Sequence, residues 1–192
     1  TKLDLGEEKG LLRLDFKSGI DKAADFAIVR EPEKSWRDGT WAVVLHGHGS
    51  TGTQLFTRED IRRDWLPELK SRKMGIVCPN IRGNSWMCPE AAEDLHALLD
   101  YTRRHFKAKR FILLGGSMGG TSCLIYSTLH PEDVSACVAL CPATDLPAYF
   151  ESCKGNPGGI QKQIAAAIEK ASKGDAERME RHSALDRKST RL

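Results

Sequence analysis

The sequence predicts an α/β domain: a mainly parallel sheet with helices on both faces. Three observations carry this. Short β-rich runs alternate with longer helical periods along the chain. Two of those runs, WAVVL at 41–45 and FILL at 111–114, are apolar throughout, as in strands covered on both faces. Both lead directly into glycine-rich loops, at 46–50 and 115–120. Ligands of such sheets bind outside the carboxyl ends of the strands, so these two loops and the loop at 80–88 matter most.

The first expected strands are 11–16 and 25–29. The former alternates in part and lies between Gly10 and the turn signal Ser18-Gly19. Strand 41–45 follows. Residues 61–73 read as a helix, with Ile61, Trp65 and Leu69 on one face, weakened by Pro67 as a place for a kink. Strand 75–79 precedes the clearest helix, 89–106. There Pro89 suits the first turn, Glu90, Glu93 and Asp94 suit the N-terminal dipole, and Arg103, Arg104 and Lys107 suit the C-terminal one. Its inner stripe is Leu95, Leu98, Leu99, Thr102 and Phe106. Strand 111–114 leads to helix 117–130, stopped by Pro131, and then to a sixth strand, 134–140. Residues 146–173 hold helical patches, notably Ile160, Ile164 and Ile168. A last helix starts at 175 and runs to about 187. No repeat or low-complexity segment interrupts what reads as one domain over 1–192.

Composition excludes several classes. A chain of 192 residues, 40% hydrophobic and 29% charged, is an ordinary globular one. Lys and Arg number 29 against 26 Asp and Glu, and a net charge of +3 gives no electrostatic pull on nucleic acid or anionic lipid. No apolar run approaches the roughly 20 residues needed to span a bilayer, so no membrane partner is expected. The six cysteines, Cys78, Cys88, Cys123, Cys137, Cys141 and Cys153, include no C-x-x-C pair. They read as small buried hydrophobes with free thiols, which leans towards a reducing compartment. The chain opens at Thr1 without a signal-peptide pattern, and secretion stays open.

Gly115-Gly116-Ser117-Met118-Gly119 fits G-x-S-x-G between an expected strand and an expected helix. A sharp strand-to-helix turn holds such a serine at strained backbone angles, so the residues two places away on each side must be tiny. Gly115 and Gly119 meet that need, and Gly120 lets the helix pack close to the sheet. Ser117 Oγ would then project above the sheet edge as a nucleophile, with the helix N-terminus behind it. A dinucleotide loop is a poorer fit, because Ser117 takes the place of its second glycine. A phosphate loop lacks its lysine, since Thr121 stands there. A plain glycine-rich junction is the remaining alternative.

Acyl transfer also needs N–H donors aimed at the tetrahedral oxyanion. Met118, after the serine, and His48 or Gly49, in the loop after the earlier strand, would donate through their backbones. The rival reading of His46-Gly47-His48 as a metal site lacks any following ligand to complete it, so no metal is expected, and His46 reads as structural.

With these loops in view, the chain resembles α/β-hydrolase-fold serine hydrolases of the esterase, dienelactone-hydrolase-like and prolyl-oligopeptidase-like branch. The resemblance covers roughly 40–192, through WAVVLHGHGS, CPNIRGNSWM, FILLGGSMGG and VSACVALCPATD. It implies cleavage of a small carboxylic ester or related acyl compound with no cofactor. A serine peptidase and a non-catalytic binding protein of the same fold are the alternatives. It also implies that Arg82, Asn84, Ser85, Trp86 and Met87 line the substrate pocket, against a surface loop in which Trp86 merely packs. Residues 146–174 fall where the family inserts a helical cap, or they form a surface helix on the core edge.

The chain departs from the family pattern after 134–140, where the usual acid and histidine have no counterparts. The resemblance implies that roughly 50 to 80 further residues carry them. Alternatively Asp145 and His182 rebuild the pair. On the first reading, strand 134–140 is an apolar edge open to pairing, and self-association into a homo-oligomer stays open.

Overall fold

The computed structural model describes residues 1–33, 38–156 and 158–184. Its strands are β1 (Lys2–Leu5), β2 (Glu8–Lys17), β3 (Ala24–Arg30), β4 (Thr40–Leu45), β5 (Gly75–Pro79), β6 (Arg110–Gly116) and β7 (Val134–Leu140). The helices are α1 (Gln54–Thr57), α2 (Glu59–Ser71), α3 (Pro89–Phe106), α4 (Met118–Leu129), α5 (Leu146–Gly155), α6 (Gly159–Ser172) and α7 (Ala176–Arg181). One sheet runs in the order β1-β2-β3-β5-β4-β6-β7. Its first pairings, up to β3–β5, are antiparallel, and β5, β4, β6 and β7 are parallel.

Alternation along the strands builds two cores. Trp41, Val43, Leu45, Val77, Phe111 and Leu113 point to one face, where Leu95 and Leu99 of α3, Ile125 and Tyr126 of α4, and Ile164 and Ile168 of α6 meet them. Ala42, Val44, Ile76 and Cys78 point to the other, under Leu55 and Phe56 of α1 and Leu66 and Leu69 of α2. Helices therefore cover both faces, as the doubly apolar strands require. Leu146 and Cys153 of α5 belong to the first core, so the segment after β7 packs on the sheet's own cluster.

The six expected strands are present. The sequence reading missed β1, whose four residues KLDL are exposed or half-buried, and α1, a single turn. Residues 185–187 of the expected last helix lie outside the described residues. Pro67 lies inside α2 without ending it. All six cysteines are free, but Cys137 and Cys141 are exposed rather than buried. The reason is topological: β7 has a partner only on its β6 side among the described residues, and Val138 and Leu140 stay 44% and 47% exposed. No described helix is long and apolar enough to cross a membrane.

Candidate active site

The chain leaves β4 towards β5 on one side, then crosses back to place β6 on the other. The loops following β4 and β6 therefore diverge at a topological switch point, where an open sheet forms its crevice. Ser117 sits there. β6 ends at Gly116 and α4 begins at Met118, so one residue makes the reversal, at φ 54° and ψ −122°. Such a backbone costs a non-glycine residue about 1–3 kcal/mol. Hydrogen bonds hold it in place: Ser117 N–H donates to the Leu140 carbonyl at 2.9 Å, and its own carbonyl accepts from Thr121 N–H at 2.9 Å. The Ser117 residue is exposed.

The neighbours explain the glycines. A Cβ on Gly119 would strike the Leu45 carbonyl oxygen and lie 2.9 Å from that of His46. One on Gly115 would meet the Gly119 carbonyl and lie 2.8 Å from Gly120 N. The start of α4 is thus pressed against the end of β4, and the two glycine-rich loops lie side by side.

Met118 opens α4, so its N–H has no acceptor within the helix. In the loop after β4, Gly47 N–H donates to Gln54 Oε1 at 2.9 Å and Gly49 N–H to Asn84 Oδ1 at 2.8 Å. Among the described residues, His48 N–H has no acceptor. Gly49 is therefore corrected as an oxyanion donor: its N–H is already engaged. His46 is structural, as expected. It is buried, with Nδ1 at 2.9 Å from the Gly47 carbonyl and Nε2 at 2.8 Å from that of Asn80. The His48 ring lies 6.1 Å from that of Trp86, and burial together with the neighbouring His46 lowers its pKa.

The loop at 80–88 departs from the expectation. Arg82 Nε donates to Asp94 at 2.6 Å, Nη1 to Asp21 at 2.7 Å and Nη2 to Ser18 at 2.7 Å. Its guanidinium ties β2–β3 to α3 and holds the Asp21 carboxyl well below the usual range. Ser85 and Trp86 are buried around a narrow space of about 10 Å³ shared with Leu146, Met179 and His182. Trp86 packs on Tyr149 of α5 at 5.7 Å. In this structure Arg82 is a charged tie, and Ser85 and Trp86 are packed inward. Asp145 caps α5, accepting from Ala148 N–H at 2.9 Å, while His182 is buried beside Trp86. The two are not bonded to each other. No described imidazole is hydrogen-bonded to Ser117.

The sequence reading missed Gln54 and Asn80. Asn80 joins three segments: its carbonyl faces His46, its Oδ1 accepts from Gly52 N–H at 3.3 Å and its Nδ2 donates to Asp25 at 2.8 Å. A polar residue immediately after a buried strand was the only signal available.

A family model described as alpha/beta hydrolase fold matches residues 42–184. The chain belongs to this family. Within the α/β-hydrolase fold it is similar to a monoacylglycerol lipase of Xenopus laevis, 28% identical over 116 residues, which are 56% of this chain and 32% of that protein. It is also similar to a proline iminopeptidase of Arabidopsis thaliana, 30% identical over 129 residues, 64% of this chain and 32% of that one. The chain thus spans about a third of the length of these curated relatives. Among solved structures, an S-formylglutathione hydrolase of Agrobacterium tumefaciens superposes with a TM-score of 0.68 at 17% identity, over 97% of this chain and 73% of that one. A ferulic acid esterase of Anaeromyces mucronatus gives 0.56 at 17%, over 76% and 62%.

Proposed function

We propose that the protein is a serine hydrolase that cleaves a small carboxylic ester or related acyl compound through an acyl-enzyme on Ser117. One observation carries the reading: an exposed hydroxyl on a residue held at φ 54°, directly before the first N–H of α4 and beside the loop after β4. Ser117 Oγ attacks the substrate carbonyl carbon and its proton passes to a base. The carbonyl oxygen becomes an oxyanion, which the N–H groups of Met118 and His48 stabilise; losing one such donor costs on the order of 3 kcal/mol. The intermediate collapses, the C–O bond to the alcohol breaks, and the alcohol leaves with the proton. Water then repeats the sequence on the acyl-enzyme and restores the hydroxyl.

The relatives named as lipase and esterase favour an ester substrate. The proline iminopeptidase similarity supports a peptidase as the second reading. A fluorophosphonate probe tests both. Covalent labelling that maps to Ser117 and vanishes in Ser117→Ala is expected, and comparison of an aryl ester with a prolyl anilide then separates esterase from peptidase. Absence of labelling in the folded protein would favour a binding protein instead.

A further inference from the structure

Outside the loops around Ser117, four ligand-type side chains converge between α3 and the turn joining α4 to β7. They are His96, His130, Glu132 and Asp133, each offering one donor atom within 4.8 Å of the other three. The two imidazoles stack with centroids 4.7 Å apart. His96 Nδ1 lies 2.8 Å from Asp133 Oδ2, and His130 Nδ1 lies 3.3 Å from Glu132 Oε1. A tetrahedral ion with bonds of about 2.0 Å needs its ligand atoms about 3.3 Å apart. The spacings present bracket that value, so a small contraction closes the set.

The surroundings favour a cation. Glu93 lies 3.5 Å from His130 Nε2 and Asp100 lies 4.0 Å from His96 Nε2, which makes four carboxylates around two imidazoles. Arg103 bonds two of them, at 2.8 Å to Asp100 and 2.5 Å to Asp133. Tyr126 OH donates to Asp133 Oδ2 at 2.5 Å. Outer contacts of this kind fix the orientation of a ligating carboxylate. Asp133 is buried at the back, and exposed Glu132 stands at the mouth, so an ion has both a floor and an entrance.

We propose that His96, His130, Glu132 and Asp133 bind one divalent ion of the zinc class and so pin α3 to the α4–β7 turn. Two imidazoles with two carboxylates suit such an ion, whereas magnesium and calcium prefer oxygen ligands throughout. The ion takes the position between His96 Nδ1 and Asp133 Oδ2, and the neutral His96 ring then carries its proton on Nε2, 4.0 Å from Asp100.

Titration of the full chain with zinc, using magnesium as the control, tests this. One zinc per chain and a raised thermal midpoint are expected, with no response to magnesium. Cobalt in place of zinc is expected to give a spectrum without thiolate charge transfer. Replacing both histidines, His96→Gln with His130→Gln, is expected to weaken zinc binding by at least about tenfold. Failure to bind zinc stoichiometrically overturns the proposal, and so does undiminished affinity in the double variant. A thiolate band also overturns it, by moving the ion to exposed Cys137 and Cys141. If the double variant does not fold, the exposed Glu132→Ala change carries the test, and unchanged affinity there overturns the site as drawn.

Discussion

At Ser117 and its neighbours, single atoms set the geometry. The start of α4 comes so close to the end of β4 that Gly119 has no room for a methyl group. Gly119→Ala is expected to cost about 3 kcal/mol or more, because the atom it meets is backbone and cannot step aside. Urea unfolding reads this directly, and an unchanged midpoint would mean that the two loops are further apart. A second residue-scale effect lies on β7. Cys123 donates its S–H to Cys137, with help from Ser127, and this outweighs burial to hold the Cys137 thiol down to about 6. The same bond raises Cys123 well above its ordinary value. Iodoacetamide at neutral pH is expected to alkylate Cys137 ahead of every other cysteine. Peptide mapping that finds Cys141 modified equally fast would contradict it.

At the scale of elements, the loop between β5 and α3 is held under tension. Ile81, Arg82, Trp86 and Met87 all have positive φ, a conformation each would avoid in a free chain. The Arg82 fork and the packing of Trp86 between His48 and Tyr149 hold it there. Arg82→Ala leaves Asp94 buried without its cation. It is expected to destabilise the fold by on the order of 2 kcal/mol, less than for a fully buried pair because Asp21 is exposed. Chemical denaturation checks this; a variant with native stability and only a raised KM would restore Arg82 as a substrate contact. Helix α3 was legible at both ends because its proline, acidic first turn and basic last turn agree with one another. The partners of the loop before it were not legible, since those of Arg82 lie 61 and 12 residues away in the chain.

Across the whole molecule, Glu90 anchors the last helices to α3. Burial opposes its ionisation, but Lys173 at 2.8 Å and Arg178 at 2.6 Å prevail and hold the carboxyl down to about 2. A depressed folded pKa stabilises above the unfolded value and is lost as pH falls through the folded one. The contribution is therefore full above pH 4.5 and fades towards about 2. Glu90→Gln is expected to cost on the order of 1 kcal/mol at neutral pH, with the difference shrinking under acid. Parallel acid titrations of stability would show a constant gap if the ion pairs contributed nothing. The far edge of the sheet has the opposite character: β7 presents apolar side chains that nothing described covers.

Local pattern was enough for the fold class, the six main strands and the Ser117 junction. Each leaves a short-range imprint: a run of apolar residues, a capped helix, two glycines flanking a serine. Folding in three dimensions settled which polar groups remain available. Gly49 lost its N–H to Asn84, Arg82 was bound by three partners, and Trp86 turned inward, all through contacts between distant parts of the chain. Hydrogen bonds across such separations leave no period in the sequence, because either partner alone is an ordinary polar residue in a loop.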